Sequence, residues 1–582
     1  MISRERVNDM MKTMRKIPAI MLAVVLITIC WPINVNACSL MYVGGDYTDD
    51  GANAFIRTEE VDADTNKIYY VSPAGNHKKG EVYQGCYGFT WEFTHDSYEY
   101  TARRDDNLSG ECPDCEGTHK HTPYEEAGTN DHGVTVSATQ SLDANPDIKK
   151  ADPFTEDGIS EAETATILLS EASSARDGVE LLLGIYDTVG ANEEGSGVMI
   201  CDQDEQWYVE NLSGHEYIAV RLPSGVCFLQ HNIGVLGRID LDDTDNVIAS
   251  KNLISVAKKA GTFVGDEEKN IIDYRTSYND YVVIWDEDWN ERVRQRQAAG
   301  LNYLEGTDKW TTENALEDND YIMTNLDEDG NITELHNNLT LKDSTMSLAD
   351  MLAVFRVYPI GHEENVNTHL YRFYPDQEQK LGTVEWFAMD NCMYNVFVPS
   401  YPMLLTDTWK GYKVGLDEEE ITEQKPEDGD YYFNDGEYHV HPNGWDKSYI
   451  GTLNALSGVL THGDLSEKQI EMAEYNLNQK QEEFYGRFNE LQAQISEEQS
   501  TEAREEMMTE TDMEMAAEVH DLALALYRYY TYGEESDLIQ NVKGTSPIVP
   551  VVIILALLLA AILFGYRAYK GRQKRNREEN SI

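Results

Sequence analysis

Trp31-Pro32-Ile33-Asn34-Val35-Asn36-Ala37-Cys38-Ser39-Leu40-Met41-Tyr42-Val43 joins two unlike pieces of chain at the Ala37–Cys38 bond. Upstream, Arg4, Arg6, Lys12, Arg15 and Lys16 outnumber Glu5 and Asp9, and Ile17 to Cys30 is an apolar run of export-signal length, short for a membrane span. Pro32 breaks that run, and Val35 and Ala37 are the small residues a signal peptidase reads before its cut. Cleavage after Ala37 leaves Cys38 as the first residue of the mature chain, with a thiol and a free α-amine on one residue. The competing reading is a lipoprotein box with Cys38 acylated. Polar Asn34 and Asn36 between the apolar run and the cysteine argue against it.

A second apolar stretch, Ile548 to Gly565, is uncharged and has the length of a spanning helix. Arg567, Lys570, Arg572, Lys574, Arg575 and Arg577 follow it, so the positive-inside rule puts the tail in the cytoplasm and the body outside. The two ends together predict a single-pass cell-membrane protein with an extracellular body.

That body is strongly acidic. The chain of 582 residues carries a formal net charge of −58, which repels nucleic acid and anionic lipid and excludes a nucleic-acid-binding role. Eight cysteines are too few for a disulfide scaffold of this length. Cys30 leaves with the signal, and Cys86, Cys112, Cys115, Cys201, Cys227 and Cys392 remain free to pair. Cys112-Pro-Asp-Cys115 with His119 and His121 has spacing that zinc can use, but Glu111, Asp114 and Glu116 make an exported loop the simpler reading, and no metal or cofactor is assigned. Asp327-Glu328-Asp329-Gly330-Asn331 lacks EF-hand spacing and reads as a solvated turn.

Period-2 patterns predict strands at Ser39 to Gly44 and Ala52 to Thr58 around a Gly/Asp turn, and at Gly133 to Thr139. Further strands are expected at Val198 to Cys201, Gln206 to Asn211, Tyr217 to Leu222 and Val226 to Gln230, and again around Val384 to Phe387 and Val396 to Pro399. Ser160 to Val189 has the apolar spacing of a helical pair. Ser466 to Tyr530, rich in Glu, Gln, Met, Leu and Ala, reads as long helices with the charge of a solvated face or stalk. The pattern predicts an α+β fold with helices covering antiparallel sheets.

An N-terminal α-amine has an ordinary pKa of about 8 and can take the proton of a thiol whose own value is about 8.5. Attack on an amide then needs a cation beside the thiolate and donors for the oxyanion. Arg57, Asn130 and Asn232 are the candidates in this sequence. His132, His215 and His231 are left out, because a mechanism using the α-amine needs no imidazole.

Cys38-Ser39-Leu40 with Ala54-Phe55-Ile56-Arg57-Thr58-Glu59-Glu60 resembles the dipeptidase A family of N-terminal nucleophile cysteine hydrolases. In that family a mature N-terminal cysteine opens the first strand and an Arg-Asn-Glu-Asp-like motif ends the second. Asn130-Asp131-His132-Gly133-Val134 through Thr139, Trp207 to Glu210 with Gly214, Ala219 to Pro223, and Gly382 to Pro399 are similar to later family segments. The resemblance implies an αββα sandwich and amide hydrolysis, with Cys38 as nucleophile and base. It implies Arg57 beside the thiolate, Glu60 holding the α-amine, and Asn130 and Asn232 serving the oxyanion or the substrate backbone. Thr58 and Glu60 depart from the family's asparagine and aspartate, and Ser39 replaces a common threonine.

On this reading the chain comprises a signal peptide (1–37), a catalytic domain (38–465) with its helical C-terminal part (466–535), a tether (536–547), a transmembrane helix (548–566) and a basic tail (567–582). Its substrates are expected to be dipeptides or short peptides. The alternatives are an N-acyl amide or bile-salt-type amidohydrolase, and a non-catalytic surface binding protein.

Overall fold

The computed structural model describes residues 38–540 except 62–64, 86–87, 106–124, 143, 193–194, 280–286, 317–321, 328, 417–419, 423, 427–429 and 435–436. The expected signal peptide, spanning helix and tail lie outside the described residues, as do Cys86, Cys112, Cys115, His119 and His121. Among the described residues no helix is long and apolar enough to cross a membrane.

Two antiparallel sheets dominate. The strands are β1 (Ser39–Val43), β2 (Asn53–Glu60), β3 (Lys67–Ser72), β4 (Tyr100–Asp105), β5 (Ala127–Asn130), β6 (Thr135–Leu142), β7 (Gly195–Cys201), β8 (Gln206–Asn211), β9 (Tyr217–Arg221), β10 (Cys227–Gln230), β11 (Val247–Ala249), β12 (Asn365–Phe373), β13 (Thr383–Met389) and β14 (Val398–Ser400). Six form one sheet in the order β10-β1-β2-β12-β13-β14, and eight form the other in the order β11-β9-β8-β7-β6-β5-β4-β3.

Side-chain alternation sorts these strands into layers. Leu40, Tyr42 and Phe55 of the smaller sheet share one buried cluster with Met199, Tyr208 and Val220 of the larger, which places the two sheets face to face. The opposite positions of the larger sheet, Val136, Val198, Ile200, Trp207 and Val209, pack under α1 (Glu161–Glu171) and α2 (Ala175–Thr188). The opposite positions of the smaller sheet, Met41, Val43, Ala54 and Ile56, pack under α3 (Glu287–Glu305), α4 (Tyr449–His462), α5 (Glu467–Glu497) and α6 (Thr501–Tyr532). The order is helix, sheet, sheet, helix, and the chain is mixed α and β.

The expected strands and the α1–α2 pair form close to the positions their periodicity marks. The stalk-like reading of Ser466 to Tyr530 is corrected: Phe484, Phe488, Met508 and Met515 are buried against the smaller sheet's helical layer. Most of the charged residues line the outward face of these helices, while Arg504 and Asp512 are buried. Cys201, Cys227 and Cys392 are buried free thiols, so the pairing left open for them is not made. Asp327 accepts the Asn331 backbone N–H at 2.8 Å, as a solvated turn requires.

Candidate active site

Cys38 precedes β1, and alternation points its side chain, like those of Leu40 and Tyr42, between the sheets. Antiparallel register sets Leu40 opposite Arg57 on β2. Arg57 shares the inward face with Phe55, and its Nη2 donates to Cys38 Sγ at 3.1 Å. The same nitrogen reaches Glu59 Oε2 at 2.6 Å and Glu161 Oε1, at the start of α1, at 3.5 Å. Cys38 is only 5% exposed. Burial lifts its thiol far above the ordinary range, Arg57 draws it back, and Glu59, Glu161 and Glu60 push it up again. Arg57 itself is held charged: burial works against it, but Cys38, Glu59 and Glu161 outweigh that and raise its pKa.

Ser39, Thr58 and Glu60 occupy the other face, beneath α3. Ser39 N donates to Thr58 Oγ1 at 3.0 Å, and Thr58 Oγ1 donates to Glu60 Oε1 at 2.7 Å. Ser39 Oγ donates to the same oxygen at 2.9 Å. Glu60 Oε2 accepts from Arg296 Nη1 at 2.6 Å and from His362 Nε2 at 3.2 Å. Burial alone would raise this carboxyl, but Arg296, His362 and the Thr58 hydroxyl bring it below the ordinary glutamate value. A carboxylate has about four acceptor positions, and here two hydroxyls, a guanidinium and an imidazole fill them. Glu60 is a hub that ties Ser39, next to Cys38, and Thr58 to α3.

Arg296 was not visible as a site residue in the sequence. Its helix docks on β10, where Gln297 Nε2 donates to Leu229 O at 3.2 Å and a Cβ on Gly300 would collide with the Leu229 side chain. This close approach carries the guanidinium to Glu60 and also to Asn232, whose Oδ1 accepts from Arg296 Nη2 at 3.1 Å. Guanidinium only donates, so the bond fixes the amide with its oxygen on Arg296 and its Nδ2 donor turned away. Asn232 follows β10 with a left-handed φ of 57°, and its side chain belongs to the same network as Glu60.

Asn130 does not join that network. Its Nδ2 donates to Leu169 O at 3.1 Å and Ala172 O at 2.8 Å, and its Oδ1 accepts from His132 N at 3.1 Å and Val134 N at 2.9 Å. Both amide hydrogens and both oxygen lone pairs are committed to closing a turn and to α1, on the helical side of the larger sheet. That sheet separates Asn130 from the thiol, so an oxyanion role for it is corrected to a structural one.

His231 Nδ1 is 2.8 Å from Ser39 Oγ, and burial, then Arg296, keep its imidazole neutral. His369, facing inward beside Arg57, bonds Ser137 Oγ at 2.9 Å and Asn367 Oδ1 at 3.1 Å. Both imidazoles support the site from within the sheet. Among the described residues no cluster of three or more His, Cys, Asp or Glu side chains could hold a metal ion.

A buried cysteine at the head of a strand with an arginine on its sulfur is the arrangement that a thiol hydrolase needs. The chain belongs to Peptidase family C69, whose family model matches residues 37–425; this is the dipeptidase A family of N-terminal-nucleophile cysteine peptidases. A probable dipeptidase B of Streptococcus pyogenes serotype M1 is 29% identical over 391 residues, 65% of this chain and 74% of that one. A probable dipeptidase of Salmonella dublin is 34% identical over 250 residues, 42% of this chain and 54% of that one. Among solved structures, penicillin V acylase from Agrobacterium tumefaciens aligns with a TM-score of 0.26 and 12% identity over 60% of this chain and 82% of its own. That superposition is too loose to compare site residues.

Proposed function

We propose that this peptidase hydrolyses dipeptides or short peptides at the cell surface, with Cys38 as nucleophile and its own freed α-amine as base. The observation that carries the reading is the 3.1 Å contact of Arg57 Nη2 with Cys38 Sγ, at the residue that cleavage after Ala37 would make first. The relatives named as dipeptidases support the substrate class.

In the proposed cycle the α-amine takes the thiol proton and Sγ attacks the scissile carbonyl, forming a tetrahedral oxyanion. Arg57 stabilises the thiolate, and Asn232 Nδ2, oriented by Arg296, donates to the oxyanion. The C–N bond breaks as the ammonium returns its proton to the leaving amine, leaving a thioester. Water, deprotonated by the same amine, hydrolyses the thioester and restores the thiol. In the uncut chain the Cys38 nitrogen is an amide and cannot accept a proton, so export and cleavage by a signal peptidase would also be activation. The apolar stretch at 548–566 would hold the enzyme to the membrane, with its basic tail inside.

N-terminal sequencing and intact mass of the natural product test this directly. A mature chain beginning with unmodified Cys38 and hydrolysing dipeptides, with no turnover in Cys38→Ala, is the expected result. An acylated Cys38, or a start elsewhere, overturns it.

A further inference from the structure

Asn232 stands on a buried turn, residues 231–236, which leaves the smaller sheet at the end of β10. A group of side chains facing it from the larger sheet fixes the backbone of that turn. Tyr208 and Glu210 lie two apart on β8 and so share the face that looks toward the smaller sheet. Glu210 Oε1 accepts from Val235 N at 2.7 Å and from the Tyr208 hydroxyl at 3.0 Å. That hydroxyl accepts from Gln230 Nε2 at 2.6 Å, and the same amide donates to Ile233 O at 2.8 Å. One chain of bonds thus grips the turn at residues 230, 233 and 235, on both sides of Asn232 and its left-handed φ of 57°. Close approach at two glycines makes room for it. A Cβ on Gly197 of β7 would lie 2.7 Å from the Tyr208 hydroxyl, and one on Gly234 would press on Glu210 Oε2 at 3.3 Å.

We infer that Glu210 is a positioning residue for the reaction: its carboxylate clamps the 231–236 turn so that Asn232 presents Nδ2 to the oxyanion. The inference rests on the peptidase reading above and on the part given there to Asn232. Glu210 is completely buried. Burial lifts its carboxyl to about 7, and the Val235 N–H, the Tyr208 hydroxyl, the Leu236 N–H and then Arg275 draw it back. The turn's own N–H groups therefore stabilise the anion more than the nearby cation does. Burying a charge is unfavourable, and what it supplies here is a set of charge-assisted hydrogen bonds, about twice as strong as neutral ones, aimed at the backbone beside Asn232. Arg296 fixes the amide from the side-chain end; Glu210 fixes it from the main-chain end. Glutamine at 210 would keep the shape but turn one acceptor into a donor, set among the N–H groups of Val235 and Leu236 and a hydroxyl already engaged by Gln230.

A double-mutant cycle separates positioning from general support. Glu210→Gln and Tyr208→Phe are each made in the parent and in Asn232→Ala, and the mature enzymes are assayed on whichever of L-Ala-L-Ala, L-Leu-L-Ala and L-Phe-L-Ala the parent cleaves fastest. A displacement of about 1 Å can cost about 100-fold, so Glu210→Gln in the parent is expected to lower kcat about 10- to 30-fold, Tyr208→Phe about fivefold, and both to keep KM within about threefold. In Asn232→Ala neither change is expected to lower kcat further by more than about twofold, because no amide remains to be placed. Iodoacetamide alkylation of Cys38 is expected to keep the parent's pH inflection in both variants. A loss below about threefold in Glu210→Gln overturns the inference, as does one common factor of loss in both backgrounds, which is what a merely structural carboxylate gives. A shifted alkylation inflection overturns it too, since the carboxylate would then act on the thiol. If Glu210→Gln does not fold, Tyr208→Phe decides by the same comparison. An Asn232→Ala enzyme with parental kcat also overturns the inference and leaves the peptidase reading standing. Failure of that reading looks different: turnover persists in Cys38→Ala, or the parent with an unmodified Cys38 cleaves none of the dipeptides.

Discussion

Replacing Arg57 with Gln tests the electrostatics of the nucleophile most directly. Arg57 Nη2 is the cation on Sγ at 3.1 Å, and both groups are nearly inaccessible to water. An opposite charge at this distance shifts an acid by about 1–3 pH units, each worth 1.36 kcal/mol. Glutamine retains a donor but no charge, and it also leaves Glu59 facing the sulfur with less compensation. Both changes push the thiol upward. Alkylation of mature Cys38 by iodoacetamide, followed by mass spectrometry as a function of pH, is expected to show its inflection about 1–3 units higher in Arg57→Gln. The thiolate fraction at neutral pH then drops about 10- to 1,000-fold, and kcat/KM on a dipeptide follows. An unchanged inflection, in a variant whose melting curve matches the parent's, would refute the role given to Arg57.

Asn130→Ala and Asn232→Ala separate structure from chemistry. The first loses up to four hydrogen bonds that close a turn and bind α1, an expected loss of about 2–4 kcal/mol in urea unfolding. Its folded fraction is expected to keep kcat within about threefold. Asn232→Ala removes an acceptor from buried Arg296 and sets alanine at a left-handed φ, so it is expected to melt somewhat below the parent, to stay folded, and to lose about 100-fold or more in kcat. Arg296→Met breaks a buried pair and is expected to cost about 3–5 kcal/mol. Glu60 is held below its ordinary value by Arg296, so the parent keeps this stability above the ordinary glutamate pKa and loses it as pH falls through the lower folded value. In Arg296→Met, acid unfolding followed by circular dichroism should therefore begin at higher pH. Asp512 has the opposite sign: burial lifts its carboxyl to about 7 from 3.8. The folded state binds the extra proton, so this term leaves stability intact at pH 4 and lowers it as pH rises to 7, by at most about 4 kcal/mol. Asp512→Asn should flatten that slope in denaturation measured at pH 5 and 8.

The sequence by itself marked Cys38 as the candidate nucleophile. Residue type, the cut-site pattern and the period-2 strands around Cys38 and Arg57 are local, and local patterns carry register: Leu40 opposite Arg57 follows from one hairpin. It also marked the α1–α2 pair and the strands from Gly195 to Gln230. It did not reveal β12 (Asn365–Phe373), the strand between β2 and β13. Asn367, His369 and Tyr371 hide its alternation, because their face looks into the polar space between the sheets, and Arg372 on the other face pairs with Asp50. Nor did it reveal α3 as the carrier of Arg296, since Glu291, Arg292, Arg294 and Arg296 read as a solvated helix. Only tertiary structure decided which face of each strand meets which layer. That placement sends Arg57 and Glu59 to the thiol, Glu60 to Arg296 on the opposite side, and Asn130 to the far helical layer. A motif records neighbours along the chain, whereas hydrogen-bond capacity is filled by residues that only packing brings together, and those partners set the Asn232 amide beside Arg296 and tie the Asn130 amide to the helical layer.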